Sequence, residues 1–177
     1  NLVVNRGKTI FLCDTSVIEY PDAKQLAEMA KSAARVVRLF GFDPKIAFLS
    51  HSTFGEPATD RTKRLSDAVE ILKKDNVDFK FDGEMQPDVA LDEVYKELYP
   101  FSEIVGSSNV LIMPSQHSAA ISYKMIKSMS RAKVIGPLLV GLGQPIEIAP
   151  LRSSTSDIIN LASIAAYSAD VIQYKKN

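Results

Sequence analysis

"KIAFLSHSTFGEPATDRTKRLSDAVEILKK", Lys45 to Lys74, decides the fold. Its first six residues are a short apolar run, "KIAFLS". A polar loop follows, "HSTFGEP", and then a segment from Ala58 to Lys74 that sets Leu65, Ala68, Val69 and Leu72 on one face of a helix. Strand, loop and helix therefore succeed one another. The same unit precedes it: "KTIFLC" (Lys8 to Cys13), the turn Asp14-Thr15-Ser16, and a helix from Asp22 to Phe40. Asp22 can cap that helix, Leu26, Met29, Ala30, Ala33, Val36 and Val37 form its apolar stripe, and Gly41 with Pro44 ends it. Further along, "VDFKF" (Val77 to Phe81) alternates as a strand. Pro87 to Leu98 reads as a helix with Leu91, Val94, Tyr95 and Leu98 aligned, Asn109 to Pro114 as a buried strand and Ser118 to Met129 as a helix. Two more apolar runs, "KVIGPLLVG" and "PIEIA", precede a last helix from Thr155 to Ile172. Alternation of this kind predicts an α/β, layered fold with a mostly parallel sheet flanked by helices.

Bulk composition bounds the partners. The 177 residues are 46% hydrophobic and 24% charged, enough to bury a core. Lys plus Arg and Asp plus Glu both number 21, so no extended positive field favours nucleic acid or anionic lipid. Apolar runs such as "VIGPLLVGLG" are broken by Gly and Pro and reach roughly half the ~20 residues that span a bilayer. Neither nucleic acid nor membrane is expected as a partner. The one cysteine, Cys13, excludes an internal disulfide framework, agrees with a reducing, cytoplasmic compartment, and reads as a small buried apolar residue. The opening "NLVVNRGKTIFL" reads as a domain cut from a longer chain with a partner domain upstream.

The common catalytic signatures do not occur: no P-loop lysine, G-x-S-x-G elbow, H-E-x-x-H or strand-following G-x-G-x-x-G. His51 and His117 each stand just after a strand end, as a base for a serine nucleophile or as ordinary loop polarity. "DGEMQPD" gathers Asp82, Glu84 and Asp88, but with no histidine or cysteine beside them no metal site is expected. They read instead as a strand end, a bend at Gly83 and a helix start at Pro87. Ligands of α/β sheets sit outside the carboxyl ends of the strands. Hydroxyl-rich turns are expected there: Asp14-Thr15-Ser16, the loop carrying Ser50, Ser52, Thr53 and Gly55, and Ser115-Gln116-His117-Ser118. Such turns either cap helices or cradle an anion. A fourth turn, Arg152-Ser153-Ser154-Thr155-Ser156-Asp157, adds a cation able to hold an anion with two donors, and a carboxylate that is either a base or a first-turn helix charge.

Taken together, "FLCDTSVIEYP" (Phe11 to Pro21), "AFLSHSTFGEP" (Ala47 to Pro57), "DGEMQPDVAL" (Asp82 to Leu91), "YPFSEIVGSSNVLIMPS" (Tyr99 to Ser115), "IGPLLVGLGQPIEIAP" (Ile135 to Pro150) and "SDIINLASIAA" (Ser156 to Ala166) resemble the phosphate acetyltransferases. The resemblance is specifically to the phosphotransacetylase-like domain at the C-terminus of hybrid NADP-dependent malic enzymes. It implies an isocitrate/isopropylmalate dehydrogenase-like lobe: residues 1–150 would be the second α/β lobe, and residues 151–177 a helical segment returning to a first lobe upstream. In the active family an aspartate deprotonates the coenzyme A thiol, and a Ser-Arg pair stabilises the tetrahedral intermediate. By resemblance Asp157 takes the aspartate's place and Arg152 the arginine's. The serine's position is Leu151, the following Gly-Cys is Ser153-Ser154, and the loop is one residue short. Loss of one oxyanion donor costs roughly 10² to 10³ in rate, which argues against acetyl transfer. The resemblance then implies a regulatory domain that binds acetyl-CoA as an effector, with Arg152, Ser153, Ser154, Ser50, Ser52, Thr53 and Gly55 toward the ligand. It also implies self-association as a homo-oligomer, no cofactor in this chain, and NADP with Mg or Mn only in an upstream malate-decarboxylating domain. The alternatives are an active phosphate acetyltransferase and a purely structural dimerisation domain.

Overall fold

A computed structural model of the chain describes residues 1–174. The elements are β1 (Leu2–Asn5), β2 (Lys8–Cys13), α1 (Ala23–Leu39), β3 (Lys45–Leu49), α2 (Asp60–Lys74), β4 (Lys80–Met85), α3 (Pro87–Leu91), α4 (Glu93–Lys96), β5 (Val110–Ile112), α5 (Gln116–Met129), β6 (Lys133–Ile135) and α6 (Thr155–Tyr174). One sheet orders its strands β4-β3-β5-β2-β1-β6. β4, β3, β5 and β2 run parallel, and β1 is antiparallel to both β2 and β6. The mixed, mostly parallel α/β sheet flanked by helices is the fold the periodicity predicts.

Period-two burial builds the layers. Ile46, Phe48, Val110, Ile112 and Phe11 enter one core, under the Ala-rich stripe of α1 and the Leu65, Ala68, Val69, Leu72 face of α2. Their neighbours Ala47, Leu49, Leu111, Met113 and Leu12 enter the opposite core with Val89, Ala90 and Ala119. A strand buried on both faces must be apolar throughout, so "KIAFL" and "VLI" show continuous runs rather than alternation. The cap expected at Asp22 is present as a reciprocal pair: Asp22 accepts the Gln25 N–H at 2.8 Å, and Gln25 accepts the Asp22 N–H at 2.9 Å. Cys13 is partly buried against the first core, and burial raises its thiol pKa.

Four local expectations change. The opening "LVVN" is a strand that the sequence reading passes over. It is folded onto β2 by a two-residue turn, Arg6-Gly7, whose φ values of 48° and 80° give the twist such hairpins need. The strand expected at Val77 to Phe81 lies instead at Lys80–Met85, so Asp82, Gly83 and Glu84 are strand residues, not a turn. The reason is room: Gly83, at φ +144°, sits where a Cβ would lie 2.8 Å from the Phe48 carbonyl oxygen and 2.9 Å from its Cβ. The helix expected from Pro87 to Leu98 breaks at Asp92, whose backbone is extended and whose side chain caps the next turn at Val94 N. Of the two runs after Met129, only Lys133–Ile135 is a strand; "PLLVG" and "PIEIA" meet in an isolated bridge, Leu138 with Glu147.

The final helix extends to Tyr174, and residues 175–177 of the segment expected to leave the lobe lie outside the described residues. Among the described residues, no helix is long and apolar enough to cross a membrane.

Candidate functional site

Because β2, β3, β4 and β5 are parallel, their carboxyl ends share one edge of the sheet. The structure brings three of the four polar turns to that edge. After β2, the Asp14 carboxylate accepts the N–H groups of Ser16 (2.8 Å), Val17 (3.2 Å) and Ile18 (2.9 Å), so it closes its own turn. After β5, Ser115 caps α5 by accepting the Ser118 N–H at 3.3 Å, and the two hydroxyls lie 2.8 Å apart. His117 is exposed in the first turn of α5 and His51 is exposed after β3. Among the described residues neither imidazole makes a hydrogen bond, so no nucleophile–base pair forms.

The β3–α2 loop is built around a residue that the sequence reads only as part of a strand end and a bend. Glu84, on β4, is 1% exposed. Its Oε1 accepts the Gly55 N–H at 2.7 Å and lies 3.1 Å from the Ser52 hydroxyl, while Oε2 accepts from Ser66 of α2. Its backbone carbonyl takes the Phe54 N–H at 2.7 Å. Ser52 is therefore buried, with Ser50 Oγ also 3.1 Å away. Thr53 Oγ1 accepts the Gln86 N–H at 3.2 Å. Of the expected ligand donors, Ser52 and Thr53 are buried and hydrogen-bonded, exposed Gly55 gives its N–H to Glu84, and half-buried Ser50 lies against Ser52 at the end of β3. No local signal in the sequence marks this clamp, because the partners of Glu84 lie 18 to 32 positions from it.

Arg64, on α2, ties the edge together. Its guanidinium donates to the carbonyls of Pro21 and Pro114 (the latter at 2.8 Å) and stacks 3.7 Å from the centre of the Tyr20 ring. No carboxylate pairs with it among the described ion pairs, and desolvation lowers its pKa. Nothing in the sequence marked it, because a single Arg on a helix reads as surface charge.

The fourth turn goes elsewhere. Asp157 Oδ2 accepts both the N–H (3.0 Å) and the hydroxyl (2.8 Å) of Ser154, and Ser154 Oγ accepts the Asp157 N–H at 3.2 Å. This reciprocal cap starts α6, and the Ser154 bonds, first the backbone one, hold the carboxyl pKa below its ordinary value. Arg152 and Leu151 are exposed, and Ser153 donates its N–H to Pro150 O at 2.9 Å. The turn is anchored by Lys133, the first residue of β6, whose Nζ donates to Ser156 Oγ at 3.0 Å. Lys133 pairs with Val4, and Val4 with Thr9, near the amino end of β2. β6 is also four strand positions from β3, at about 4.8 Å per position. Among the described residues, Arg152, Ser153, Ser154 and Asp157 are thus a group apart from Ser50, Ser52, Thr53 and Gly55.

Asp82, Glu84 and Asp88 do not converge. Asp82 accepts the N–H groups of Gly83 and Glu103, both at 2.9 Å, Glu84 faces the β3–α2 loop, and Asp88 accepts the Val89 N–H at 3.0 Å at the start of α3. No group of three or more His, Cys, Asp or Glu side chains placed to hold a metal occurs among the described residues.

Residues 1–166 match the family described as phosphate acetyl/butaryl transferase. The chain is 45% identical over 169 residues to an NADP-dependent malic enzyme of Rhizobium meliloti (strain 1021), covering 96% of this chain and 22% of that protein. It is 34% identical over 169 residues to a phosphate acetyltransferase of Bacillus subtilis (strain 168), covering 94% of this chain and 52% of that protein. In fold it is similar to a phosphotransacetylase from Streptococcus pyogenes, with a TM-score of 0.89 at 33% identity, over 95% of this chain and 52% of that one. The chain thus spans about half the length of the phosphate acetyltransferases and about a fifth of the malic enzymes it matches.

Proposed function

The chain belongs to the phosphate acetyl/butaryl transferase family, and from that premise we propose that it is the regulatory phosphotransacetylase-like domain of an NADP-dependent malic enzyme. In this reading residues 1–150 are the second lobe of that domain, and the segment from Leu151 onward, with α6, packs on a first lobe supplied upstream. Acetyl-CoA binds between the lobes as an inhibitor of malate decarboxylation, and NADP and its divalent metal, Mg or Mn, belong to the upstream part. Two states of the whole assembly must differ in affinity for acetyl-CoA, with a coupling of about 1–3 kcal/mol.

One observation carries the choice of binding over catalysis. The position where the resemblance expects an oxyanion-stabilising serine is Leu151, whose side chain is fully exposed, while Asp157, the expected base, is held in the cap of α6 by Ser154. A carboxylate whose pKa is lowered by two local hydrogen bonds is a weak acceptor for a thiol proton. Self-association is supported by the apolar side chains left in solvent just before this segment: Val140, Leu142, Ile146 and Ile148 are all at least 45% exposed.

The test uses the natural full-length chain. Acetyl-CoA should bind in calorimetric titration and lower the rate of malate oxidation, while acetyl phosphate plus coenzyme A should give no acetyl-CoA. Turnover that Asp157→Asn abolishes would make the domain a working phosphate acetyltransferase. No binding and no effect on malate oxidation would leave a structural dimerisation element.

A further inference from the structure

"DGE" at Asp82 to Glu84 pins two separate segments of chain side by side at the carboxyl edge. Glu84 holds the Phe54-Gly55 backbone through its carbonyl and its Oε1, at 2.7 Å each. Asp82, two residues earlier on the same strand, holds the Glu103 N–H at 2.9 Å, and the Ser102 N–H closes a turn on the Tyr99 carbonyl at 3.0 Å. Ile104, 2% exposed, fastens the second segment from beneath. The consequence is an aromatic cluster: Phe54 lies 5.3 Å from Tyr99 and 4.9 Å from Phe101 between ring centres, with Tyr99 and Phe101 6.1 Å apart in an edge-on arrangement. Phe54 and Tyr99 pack on the second core, but Phe101 is 64% exposed.

A rigidly backed ring held in solvent beside strand carboxyl ends is an unfavourable use of apolar surface unless something covers it. Its two ring contacts, with Phe54 and Tyr99, are both T-shaped, and its exposure leaves the side chain within reach of a flat partner. We propose that Phe101, backed by Phe54 and Tyr99, is a stacking platform for the planar heteroaromatic group of a ligand bound at the carboxyl edge. On the reading of the function given above, on which the identity of the ligand rests, that group is the adenine of acetyl-CoA. Asp82 and Glu84 are then positioning residues, which act by holding the two aromatic-bearing segments in register.

Stacking of a base on an aromatic side chain contributes about 1–3 kcal/mol, so Phe101→Ala should weaken acetyl-CoA binding by roughly 5- to 150-fold. The experiment is calorimetric titration of the natural full-length chain and its Phe101→Ala and Phe101→Trp variants with three probes: acetyl-CoA, AMP and S-acetylpantetheine, which lacks the nucleotide. Phe101→Ala is expected to weaken acetyl-CoA and AMP alike, to leave S-acetylpantetheine unchanged, and to unfold at the wild-type temperature because the ring is largely exposed. Phe101→Trp is expected to bind the nucleotide probes at least as well as wild type. Unaltered acetyl-CoA affinity in Phe101→Ala overturns the platform and leaves the regulatory reading standing. AMP binding that depends on Phe101, without any effect of acetyl-CoA on malate oxidation, overturns the regulatory reading and leaves the platform. Absence of binding by acetyl-CoA and AMP overturns both.

Discussion

Glu84 places a carboxyl group at 1% exposure, with three donors around it and no Lys, Arg or His paired to it among the described residues. Replacing it with Ala would leave the Ser52 and Ser66 hydroxyls and the Gly55 N–H without their acceptor, at a cost of about 2–4 kcal/mol. Glu84→Gln keeps one oxygen for the loop and should cost less than half as much. Urea unfolding of the two variants checks both, and equal stabilities would refute the clamp. Gly83→Ala is expected to be at least as damaging, because the added Cβ meets backbone at 2.8 Å and the φ of +144° is strained for any L side chain. Neither residue could be assigned from the sequence beyond a bend and a carboxylate, since the partners of Glu84 stand 18 to 32 positions away from it.

Helices were the most legible elements, because their evidence is local. The Asp22 cap, the stripes of α1 and α2, and the Gly41 stop all lie within a few residues of the elements they define. Strands were read best where they were buried on both faces and least well where pairing decides them: β1 has four residues and exists by its ladders to β2 and β6. Asp157 caps α6 through Ser154, as the helix-charge reading of this residue expects. Its depressed pKa gives a signed expectation. A carboxyl whose folded pKa lies below its unfolded value stabilises the fold above the unfolded value, about 3.9, and that contribution is lost as pH falls through the folded value. Carbon-13 titration of the Asp157 carboxyl should show the low value in wild type and a return toward the ordinary range in Ser154→Ala, together with a lower melting temperature. An unchanged titration midpoint would mean that Ser154 does not hold the group.

At the scale of the molecule, two facts bear on function: which turns share an edge, and where apolar surface is left uncovered. Ile158 and Ile159 of α6, at 51% and 59% exposure, follow the exposed Val140–Leu151 stretch, and in the proposed reading both are covered in the assembled protein. The double substitution Ile158→Glu, Ile159→Glu in the natural full-length chain should therefore lower the mass seen by light scattering or lower the melting temperature sharply. An unchanged mass together with an unchanged melting temperature would show that the surface stays open to water. The sheet's interior is a separate matter. Leu72, fully buried on α2, should cost about 2–5 kcal/mol on truncation to Ala without altering ligand affinity.

The order of apolar and amphipathic segments, read by itself, determined the α/β layering, the long helices and the parallel core of the sheet, because hydrophobic periodicity and caps act between residues a few positions apart. Family membership was legible too, in blocks spread over most of the chain. Tertiary structure alone decided the rest. It made "DGE" a strand clamp rather than a turn, joined Phe54 to Phe101 across the edge, and separated the Arg152–Asp157 turn from the Ser50 loop by four strand positions. Those outcomes depend on strand order and register, which are set by pairing between distant segments and leave no local mark in the residues that end up together.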